Sequence, residues 1–345
     1  MKERRSVMKK LLGFVVLPVV FALLVPLVAT SHAQQKVITL RYSNYHAAVN
    51  PNSKICEEWS REVEKITNGR VKIMYYPGGT LTPPAQTYDS VIKGIADIGF
   101  SMAAYTRGRF PLTEVIDLPL GYKSGYQSNM LINAFYKKFK PKEWDDVKVM
   151  YLQTSTPMRL FLKNKAVHKL ADLKGMKIRA TGTAVRFIEL LGAAPVGLPI
   201  TECYDALSKG VADGIGTVFE TLMSFRLAEV VSYGVDYSAT YTTAGFVVMN
   251  KQKWESISPQ DQKAIEELNE KYAERQARLW DVLDKGGKDV FFQKGGKMIK
   301  LSPEEDARWT KAVSPMIDEY IKAMKAKGLP GDEAVKFCKD WLKAH

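Results

Sequence analysis

Cysteine and histidine are scarce in this chain, and their scarcity disfavours several kinds of site. The 345 residues include only three cysteines, Cys56, Cys203 and Cys338, and four histidines. None of them has the C-x-x-C or H-x-x-x-H spacing of structural zinc sites. Three widely spaced cysteines make no disulfide framework, although one bridge in an oxidising compartment stays open. We therefore expect neither a metal site nor a cofactor.

Motifs of nucleotide binding and nucleophilic catalysis are also missing. The chain has no G-x-x-x-x-G-K-[ST] loop, no G-x-G-x-x-G fingerprint and no G-x-S-x-G elbow. Scattered carboxylates could still converge, so an α/β enzyme acting on an organic acid is the alternative to a binding protein. Acidic and basic residues alternate without an aromatic-interleaved basic cluster, which disfavours a nucleic-acid partner.

The only long apolar run lies near the N-terminus. Residues 11–27 are uncharged, follow a basic segment and precede the small-x-small site Ser31-His32-Ala33. The run is interrupted by Pro18 and Pro26, whereas a membrane anchor, the alternative, needs roughly 20 apolar residues. We predict a signal peptide over residues 1–33, cleaved after Ala33, and a periplasmic protein. Its removal lowers the formal net charge from +13 to +9, which still favours anionic small solutes.

One phrase occurs twice, as VIKGIADIGF at 91–100 and as LSKGVADGIG at 207–216. In each copy a helical apolar pattern ends at a glycine, Gly94 or Gly210, which suits a helix C-cap because glycine enters the left-handed region cheaply. The short apolar segment that follows is typical of a strand buried on both faces. The phrase is therefore interpreted as a helix-to-strand junction.

Each junction has a predicted strand upstream of it. Gly69 begins GRVKIMYYPGGTL and Gly175 begins GMKIRATGTAV, and both segments lead to a helix and then to the repeated phrase. Each half thus carries a strand-helix-strand unit of the α/β type. We expect Asp97 and Asp213 to order the turn in each unit rather than to contact a ligand.

The remaining segments connect the two units. Strand-like stretches at 147–163 and 242–251 bracket the second unit and are predicted hinge strands. The sequence Ser258-Pro259-Gln260-Asp261 has the N-cap, proline and capping acid of a helix start. The helix is predicted to run to Gly286-Gly287, about 40 Å at ~1.5 Å per residue, which would span both lobes.

Six stretches resemble the solute receptors of tripartite ATP-independent periplasmic (TRAP) transporters, the DctP family: NGRVKIMYYPGGTL, VIKGIADIGF, DLPLGY, LADLKGMKIRATGT, LLGAAPVGLPITECYDALSKGVADG and FRLAEVVSY. They occur in the family's order, and LKGMKIR followed by YDALSKGVADG is the specific part. The resemblance implies an α/β two-lobed periplasmic binding protein fold, type II-like, with hinge strands and a long helix spanning both lobes. It implies a receptor rather than an enzyme.

Lobe boundaries and partners follow from this interpretation. One lobe is predicted to comprise 34–156 plus 244–283, and the other 157–243 plus 284–345. The resemblance implies that the receptor binds a small organic anion and delivers it to small and large membrane permease subunits of the DctQ and DctM type. Some members of the family dimerise by exchanging helices, so a homodimer stays open.

Charged site residues are expected in the second lobe. In the family an arginine after the LKG motif binds a carboxylate, and Arg179 holds that place; a guanidinium matches a carboxylate fork as lysine cannot. Arg159 holds the place of a second basic residue. Thr217 replaces an amide-bearing pocket residue. Phe219 and Glu220 either line the cleft or serve packing and the start of a helix.

Neutral contacts are expected from the first lobe, namely Tyr45, His46, Ser101, Met102, Tyr105 and Tyr75, with Pro84 shaping the wall. The best-known sugar-acid receptors of the family carry acidic and basic groups where this chain has Ser101, Met102 and Tyr105. These side chains cannot bind a polyol as carboxylates do. The expected ligand is a smaller or partly apolar organic anion, a carboxylate or a sulfonate.

Overall fold

The computed structural model describes residues 37–345, so the predicted signal peptide and its cleavage site lie outside the described residues. The described strands are β1 (Ile38–Asn44), β2 (Val71–Tyr76), β3 (Ile98–Met102), β4 (Val147–Thr154), β5 (Arg159–Leu162), β6 (Lys177–Arg179), β7 (Ala194–Val196), β8 (Gly214–Thr217), β9 (Tyr233–Asp236), β10 (Ala244–Asn250) and β11 (Lys297–Lys300). The α-helices are α1 (Pro51–Ile66), α2 (Thr87–Ile92), α3 (Gly125–Phe139), α4 (Ala184–Leu190), α5 (Cys203–Ser208), α6 (Phe219–Ser224), α7 (Lys251–Glu255), α8 (Pro259–Gln293), α9 (Pro303–Val313), α10 (Pro315–Ala326) and α11 (Gly331–Ala344).

These strands form two sheets, with the orders β2-β1-β3-β10-β4 and β11-β9-β5-β8-β6-β7. In the first sheet β1 is parallel to β2 and β3, and β10 returns antiparallel to both β3 and β4. In the second, β6 is parallel to β7 and β8, and β5 is antiparallel to β8 and β9. The chain passes from one sheet to the other between β4 and β5 and returns between β9 and β10. The predicted α/β class is confirmed, and the strands divide into two sheets.

Both copies of the repeated phrase fold as the sequence predicts. Helix α2 is followed by Gly94 at φ 70°, and α5 is followed by Gly210 at φ 72°. This left-handed backbone is one that glycine adopts without the steric cost of a Cβ. The strands that follow, β3 and β8, are buried along their whole length.

The aspartates of the two copies order the turns. The Asp97 carboxylate accepts hydrogen bonds from the backbone N–H of Arg41 at 2.8 Å and from its Nε at 3.0 Å. In the second copy the Asp213 carboxylate accepts the backbone N–H of Lys177 at 2.7 Å. Each basic side chain also donates to the carbonyl of the glycine in its own copy. In both copies, the repeated phrase therefore hydrogen-bonds a helix-to-strand junction to the neighbouring parallel strand.

Helix α8 begins where the sequence predicts but ends later. The Ser258 hydroxyl accepts the backbone N–H of Asp261 at 3.2 Å, which is the expected N-cap. The predicted end at Gly286-Gly287 is wrong, because the helix continues to Gln293. A Cβ at Gly287 would lie 2.0 Å from the carbonyl oxygen of Phe219. The glycine therefore permits close contact with α6 rather than ending the helix.

Helix α8 is long enough to contact both halves of the protein. Its 35 residues extend roughly 50 Å at ~1.5 Å per residue. It packs on α1, α3 and β4 of the first half and on α6 of the second. The C-terminal helices also join the halves: the Tyr320 hydroxyl donates to the Leu112 carbonyl at 2.8 Å, while Arg186 pairs with Glu319. The residue boundaries of the two lobes remain a prediction.

All three cysteines, Cys56, Cys203 and Cys338, are buried and unpaired. Between residues 37 and 345, no group of three or more histidine, cysteine, aspartate or glutamate side chains could hold a metal ion. None of the helices in this range combines the length and hydropathy needed to cross a membrane.

Candidate ligand-binding site

A cavity lies where the carboxyl ends of the parallel strands of both sheets meet. It contains about 450 Å³ of space not occupied by protein atoms, including open solvent at its mouth. Its walls are formed by Tyr45, His46, Met102, Tyr105, Ser155, Met158, Arg179, Thr181, Ile200, Thr217, Val218, Glu220, Thr221, Phe225, Thr243 and Trp280.

Equivalent pairs of parallel strands, β1 with β3 and β6 with β8, explain why both halves reach this cavity. The sequence matched the strand after Gly69 with the strand after Gly175, but the sheets show that β1, not β2, corresponds to β6. Tyr42 pairs with Ile98 in the first sheet, as Ile178 pairs with Gly214 in the second. Tyr45 and Thr181 lie three residues after Tyr42 and Ile178, and Met102 and Val218 lie four residues after Ile98 and Gly214. All four of these corresponding residues line the cavity. The carboxyl ends of parallel strands are a common place for ligands in α/β proteins.

Arg179 supplies a buried positive charge. It is 5% exposed, its Nε donates to the Leu198 carbonyl at 2.8 Å, and its Nη1 lies 3.4 Å from the Gly216 carbonyl. Among the described residues no carboxylate lies within ion-pair distance of the guanidinium. These backbone contacts hold the side chain in place but leave its charge uncompensated. A buried charge of this kind is stabilised by an anion.

Glu220 supplies a carboxyl group on another wall. Its Oε1 accepts hydrogen bonds from Asn50 Nδ2 at 3.2 Å, Asn52 Nδ2 at 3.5 Å and Ser224 Oγ. Its Oε2 has no partner among the described residues. Burial raises the pKa of Glu220 to about 7, against the opposing effect of its hydrogen bonds. Because Asn50 and Asn52 belong to the first half and Glu220 to the second, these bonds connect the halves beside the cavity.

His46 is buried and neutral. Both of its ring nitrogens lack a hydrogen-bond partner in the part of the chain that the structure describes. Its ring stacks on Tyr45 with centroids 4.3 Å apart and meets Phe100 edge-on at 5.3 Å. Burial lowers the pKa of His46 to about 3, because the apolar surroundings disfavour the imidazolium. The ring therefore offers one donor and one acceptor rather than a charge.

The other walls are aromatic, aliphatic or hydroxylic. The Tyr105 hydroxyl accepts the backbone N–H of Ile200 at 3.2 Å, so it links the two halves across the cavity. Thr217 and Thr221 share a hydrogen bond of 2.7 Å between their hydroxyls. Burial raises the pKa of Tyr45, as do Tyr105 and Glu220, while Arg179 lowers it. Tyr45 thus lies within the field of both charged groups.

Seven of the residues predicted from sequence line the cavity, namely Arg179, Thr217, Glu220, Tyr45, His46, Met102 and Tyr105. Four do not: Arg159, Phe219, Ser101 and Tyr75, and Pro84 also lies outside the wall. A position on the cavity wall does not show that a residue contacts a ligand. The roles of all these residues in binding therefore remain predictions.

Local contacts explain the positions outside the wall. The Arg159 guanidinium pairs with Asp236, with Nε 2.8 Å from Oδ1. Phe219 packs on Phe161, with ring centroids 5.0 Å apart, which is the packing alternative that the sequence left open. Ser101 donates to the Pro84 carbonyl at 2.7 Å. It points away from Met102 because neighbouring strand residues face opposite sides.

Tyr75 lies on β2, which pairs with β1 on the side opposite β3. Its hydroxyl shares a hydrogen bond of 2.8 Å with Ser53, and its ring meets Tyr42 edge-on at 5.3 Å. The direction of the Tyr75 side chain depends on the place of β2 in the sheet, which local sequence does not reveal.

Sequence reasoning missed several wall residues, namely Ser155, Met158, Thr181, Ile200, Val218, Thr221, Phe225, Thr243 and Trp280. Aligning the two copies of the phrase would have found Val218 as the counterpart of Met102. Thr181 corresponds to Tyr45 only through the strand pairing of the two sheets, which the sequence does not show. Trp280 has no such signal, because it comes from the middle of α8, where an aromatic residue at helical spacing is normally core.

Two α/β halves are joined by crossing segments around a cavity, and its buried cation has no ion-pair partner among residues 37–345. These features define a binding protein for small anions. The model of the bacterial extracellular solute-binding proteins of family 7, DctP, matches residues 42–323, and the chain belongs to this family. The resemblance to TRAP solute receptors and the non-enzymatic class inferred from the sequence are thereby confirmed.

Solved structures of TRAP solute-binding proteins share this fold. One from a marine metagenome, specific for aromatic acid ligands and in complex with metahydroxyphenylacetate, is 31% identical with a TM-score of 0.84, over 89% of this chain and 99% of that one. One from Bordetella bronchiseptica with bound mandelate is 27% identical with a TM-score of 0.83, over 89% and 99%. The predicted periplasmic binding protein fold, with its long helix contacting both halves, is confirmed.

Relatives found by sequence have similar levels of identity. The "Outer membrane transporter protein TsaT" of Comamonas testosteroni is 27% identical over 92% of this chain and 94% of its own length. The C4-dicarboxylate-binding periplasmic protein DctP of Rhodobacter capsulatus is 25% identical over 86% and 90%.

Proposed function

We propose that this TRAP solute-binding protein is a receptor for aromatic monocarboxylates. The observation that carries the proposal is Arg179, a buried guanidinium with no ion-pair partner among the described residues, on the wall of a largely apolar cavity. The ligand's carboxylate would accept hydrogen bonds from this guanidinium. Charge-assisted bonds of this kind contribute roughly 1.5–3 kcal/mol each.

The remaining walls favour a ring over a polyol or a short dicarboxylate. Tyr45, Tyr105, Phe225 and Trp280 provide aromatic surface around the cavity, and aromatic side chains pack well on a ring edge or face. Arg179 and Glu220 are the only ionisable side chains other than His46 and the tyrosines on the described wall. A second carboxylate would have no cation to bind. Among the similar structures, the metagenome protein is specific for aromatic acids.

Transport follows from closure around the ligand. A ligand favours the closed arrangement only if it binds that arrangement more tightly than the open one, and the cavity wall drawn from both halves provides such contacts. The closed receptor would dock on the small and large permease subunits of a TRAP system. With the signal peptide over residues 1–33 removed, the mature protein would work in the periplasm; N-terminal sequencing of the exported protein should begin at Gln34.

Isothermal titration calorimetry tests the ligand class. Benzoate, mandelate, benzenesulfonate, succinate and glucuronate would each be titrated into the purified protein. We expect saturable binding of the aromatic carboxylates, each recovered unchanged by mass spectrometry, and at least about 10-fold weaker binding of succinate and glucuronate, which leave the aromatic walls unfilled. Tighter binding of succinate or glucuronate than of every aromatic acid would refute the proposal.

A further inference from the structure

Within residues 37–345, three polar atoms of cavity-wall side chains are buried without a hydrogen-bond partner: Oε2 of Glu220 and both ring nitrogens of His46. Some other polar groups of the described wall are already hydrogen-bonded within the protein. Thr217 and Thr221 bond each other, and the Arg179 guanidinium is held by two backbone carbonyls. Buried polar atoms are normally satisfied, so these three are available for a bound molecule.

The two side chains belong to one region of the wall. Glu220 is held by Asn50 and Asn52, which follow His46 in the same segment of the first half. The His46 ring lies 6.1 Å, between centroids, from Phe225, which directly follows α6, the helix that carries Glu220. Arg179 is not in ion-pair contact with Glu220, so the carboxyl group and the guanidinium present separate binding points.

Building on the proposed function, we propose that Glu220 and His46 determine specificity by binding a hydroxyl group on the ligand, so that the preferred ligands are hydroxyl-bearing aromatic monocarboxylates. A hydroxyl both donates and accepts hydrogen bonds. It can donate to a Glu220 carboxylate or accept from a Glu220 carboxylic acid, and it suits either tautomer of neutral His46. A methyl group or bare ring edge would leave these atoms unsatisfied.

The same residues explain what is excluded. A second carboxylate placed at this end of the cavity would face Glu220, and two carboxylates in close contact resist simultaneous ionisation. Sites built to hydrogen-bond a ligand hydroxyl reject analogues that lack it, because their own polar groups then remain unpaired. The region around Glu220 and His46 therefore discriminates against both benzoate-like and dicarboxylate ligands.

Calorimetry with matched ligands tests the hydroxyl preference. Benzoate is compared with the better of 3- and 4-hydroxybenzoate, in the wild type and in His46→Phe, which keeps a ring but removes both nitrogens. We expect the hydroxylated acid to bind at least about 10-fold more tightly than benzoate in the wild type. In His46→Phe this ratio should fall at least about threefold, because part of the hydroxyl's hydrogen bonding is lost.

Glu220→Gln tests the exclusion of a second carboxylate by a gain of binding. Glutamine keeps Oε1 as the acceptor for Asn50 and Asn52 but replaces the ionisable oxygen with an amide donor. Relative to benzoate, binding of isophthalate, a benzene dicarboxylate, should improve about 10-fold in this variant. An unchanged ratio would remove Glu220 from the proposed role.

The outcomes separate the two proposals. Equal affinity of the wild type for benzoate and both hydroxybenzoates would overturn the role of Glu220 and His46 while leaving the aromatic receptor intact. Failure of every aromatic acid to bind would contradict the receptor proposal itself. Circular dichroism and benzoate affinity verify that each variant folds; if a variant does not, the wild-type ratio decides the question.

Discussion

The two repeated halves share one frame but contribute different chemistry to the cavity. In both, an aspartate accepts the backbone N–H of the neighbouring strand, and a basic side chain donates to the glycine carbonyl at the end of the helix. Two residues beyond that basic residue, the first half has Ser43 and the second has Arg179. Ser43 is fully buried in a hydrogen bond with Thr82, whereas Arg179 reaches the cavity.

This difference shows how a repeated fold becomes an asymmetric site. Backbone position is set by the shared frame, so both halves direct residues to one place. Charge comes from single positions in the second half, Arg179 and Glu220, and the first half adds neutral rings, Tyr45, His46 and Tyr105. An anion with a ring can therefore contact both halves in different ways, which is what closure around a ligand requires.

The largest effect on ligand affinity should come from removing the buried positive charge that the second half contributes to the cavity. Arg179→Gln should weaken benzoate binding about 100-fold or more, because a buried carboxylate would lose its cation. Arg159→Gln is the matched control, since Arg159 pairs with Asp236 outside the wall, and should change affinity less than about threefold. Calorimetry measures both. A comparable loss of affinity in the Arg159 variant would instead support Arg159 as the second basic ligand contact expected from the sequence.

The buried ionisable groups of the two halves should give opposite pH dependence. Glu220 binds its proton more tightly when folded, so its contribution to the free energy of unfolding is present below pH 4.5 and is lost as pH rises through about 7. His46 has a pKa lowered from 6.5 to about 3, so its contribution is lost as pH falls below 6.5. Each group changes stability by up to about 1.4 kcal/mol per pH unit.

Urea unfolding between about pH 5 and 6.5, the range where both groups act, reveals these slopes. In Glu220→Gln the free energy of unfolding should rise with pH more steeply than in the wild type, and in His46→Phe it should rise less or fall. Asp284, whose pKa is also raised by burial, acts in the same direction as Glu220 and remains in both variants. Identical slopes in the two variants would contradict the assignment.

Loss of the aspartate of the repeated phrase should lower the free energy of unfolding more in the first half than in the second. Asp97→Ala should cost about 2–3 kcal/mol, because Asp97 is 1% exposed and its loss leaves the partly buried backbone N–H and the guanidinium of Arg41 without their carboxylate partner. Asp213→Ala should cost about 1 kcal/mol, because half-buried Asp213 can be replaced by water. Urea denaturation compares them, and equal costs would show that exposure does not decide the difference.

The smallest effect concerns a contact between the halves at Gly182. A Cβ there would lie 2.8 Å from the Ala104 Cβ, whereas Gly175 has no atom within 4 Å; both have positive φ. Gly182→Ala and Gly175→Ala should each lose about 1–2 kcal/mol of stability through backbone strain. Only Gly182→Ala should also weaken benzoate binding, about fivefold, by opposing closure. Equal affinities in the two variants would argue against this contact.

Local sequence was sufficient for features whose causes are local. The helix-glycine-strand junctions and the N-cap at Ser258 follow from residues within a few positions of each other. Arg179 was found through a motif, and the structure brings it to the cavity. Arg159 was assigned by the same reasoning, yet the structure pairs it with Asp236. A motif identifies the residue but not the partner that a neighbouring strand presents to it.

What the sequence by itself determined is the α/β frame, its duplication and the start of the long helix, because periodicity, capping and glycine conformation act over short stretches of chain. Only the tertiary structure decided that Gly287 lies inside a helix, that Trp280 reaches the cavity, and that Glu220 is left with one unpartnered oxygen. Each of these depends on contacts between segments far apart in sequence, and such contacts exist only once the two sheets and α8 have packed together.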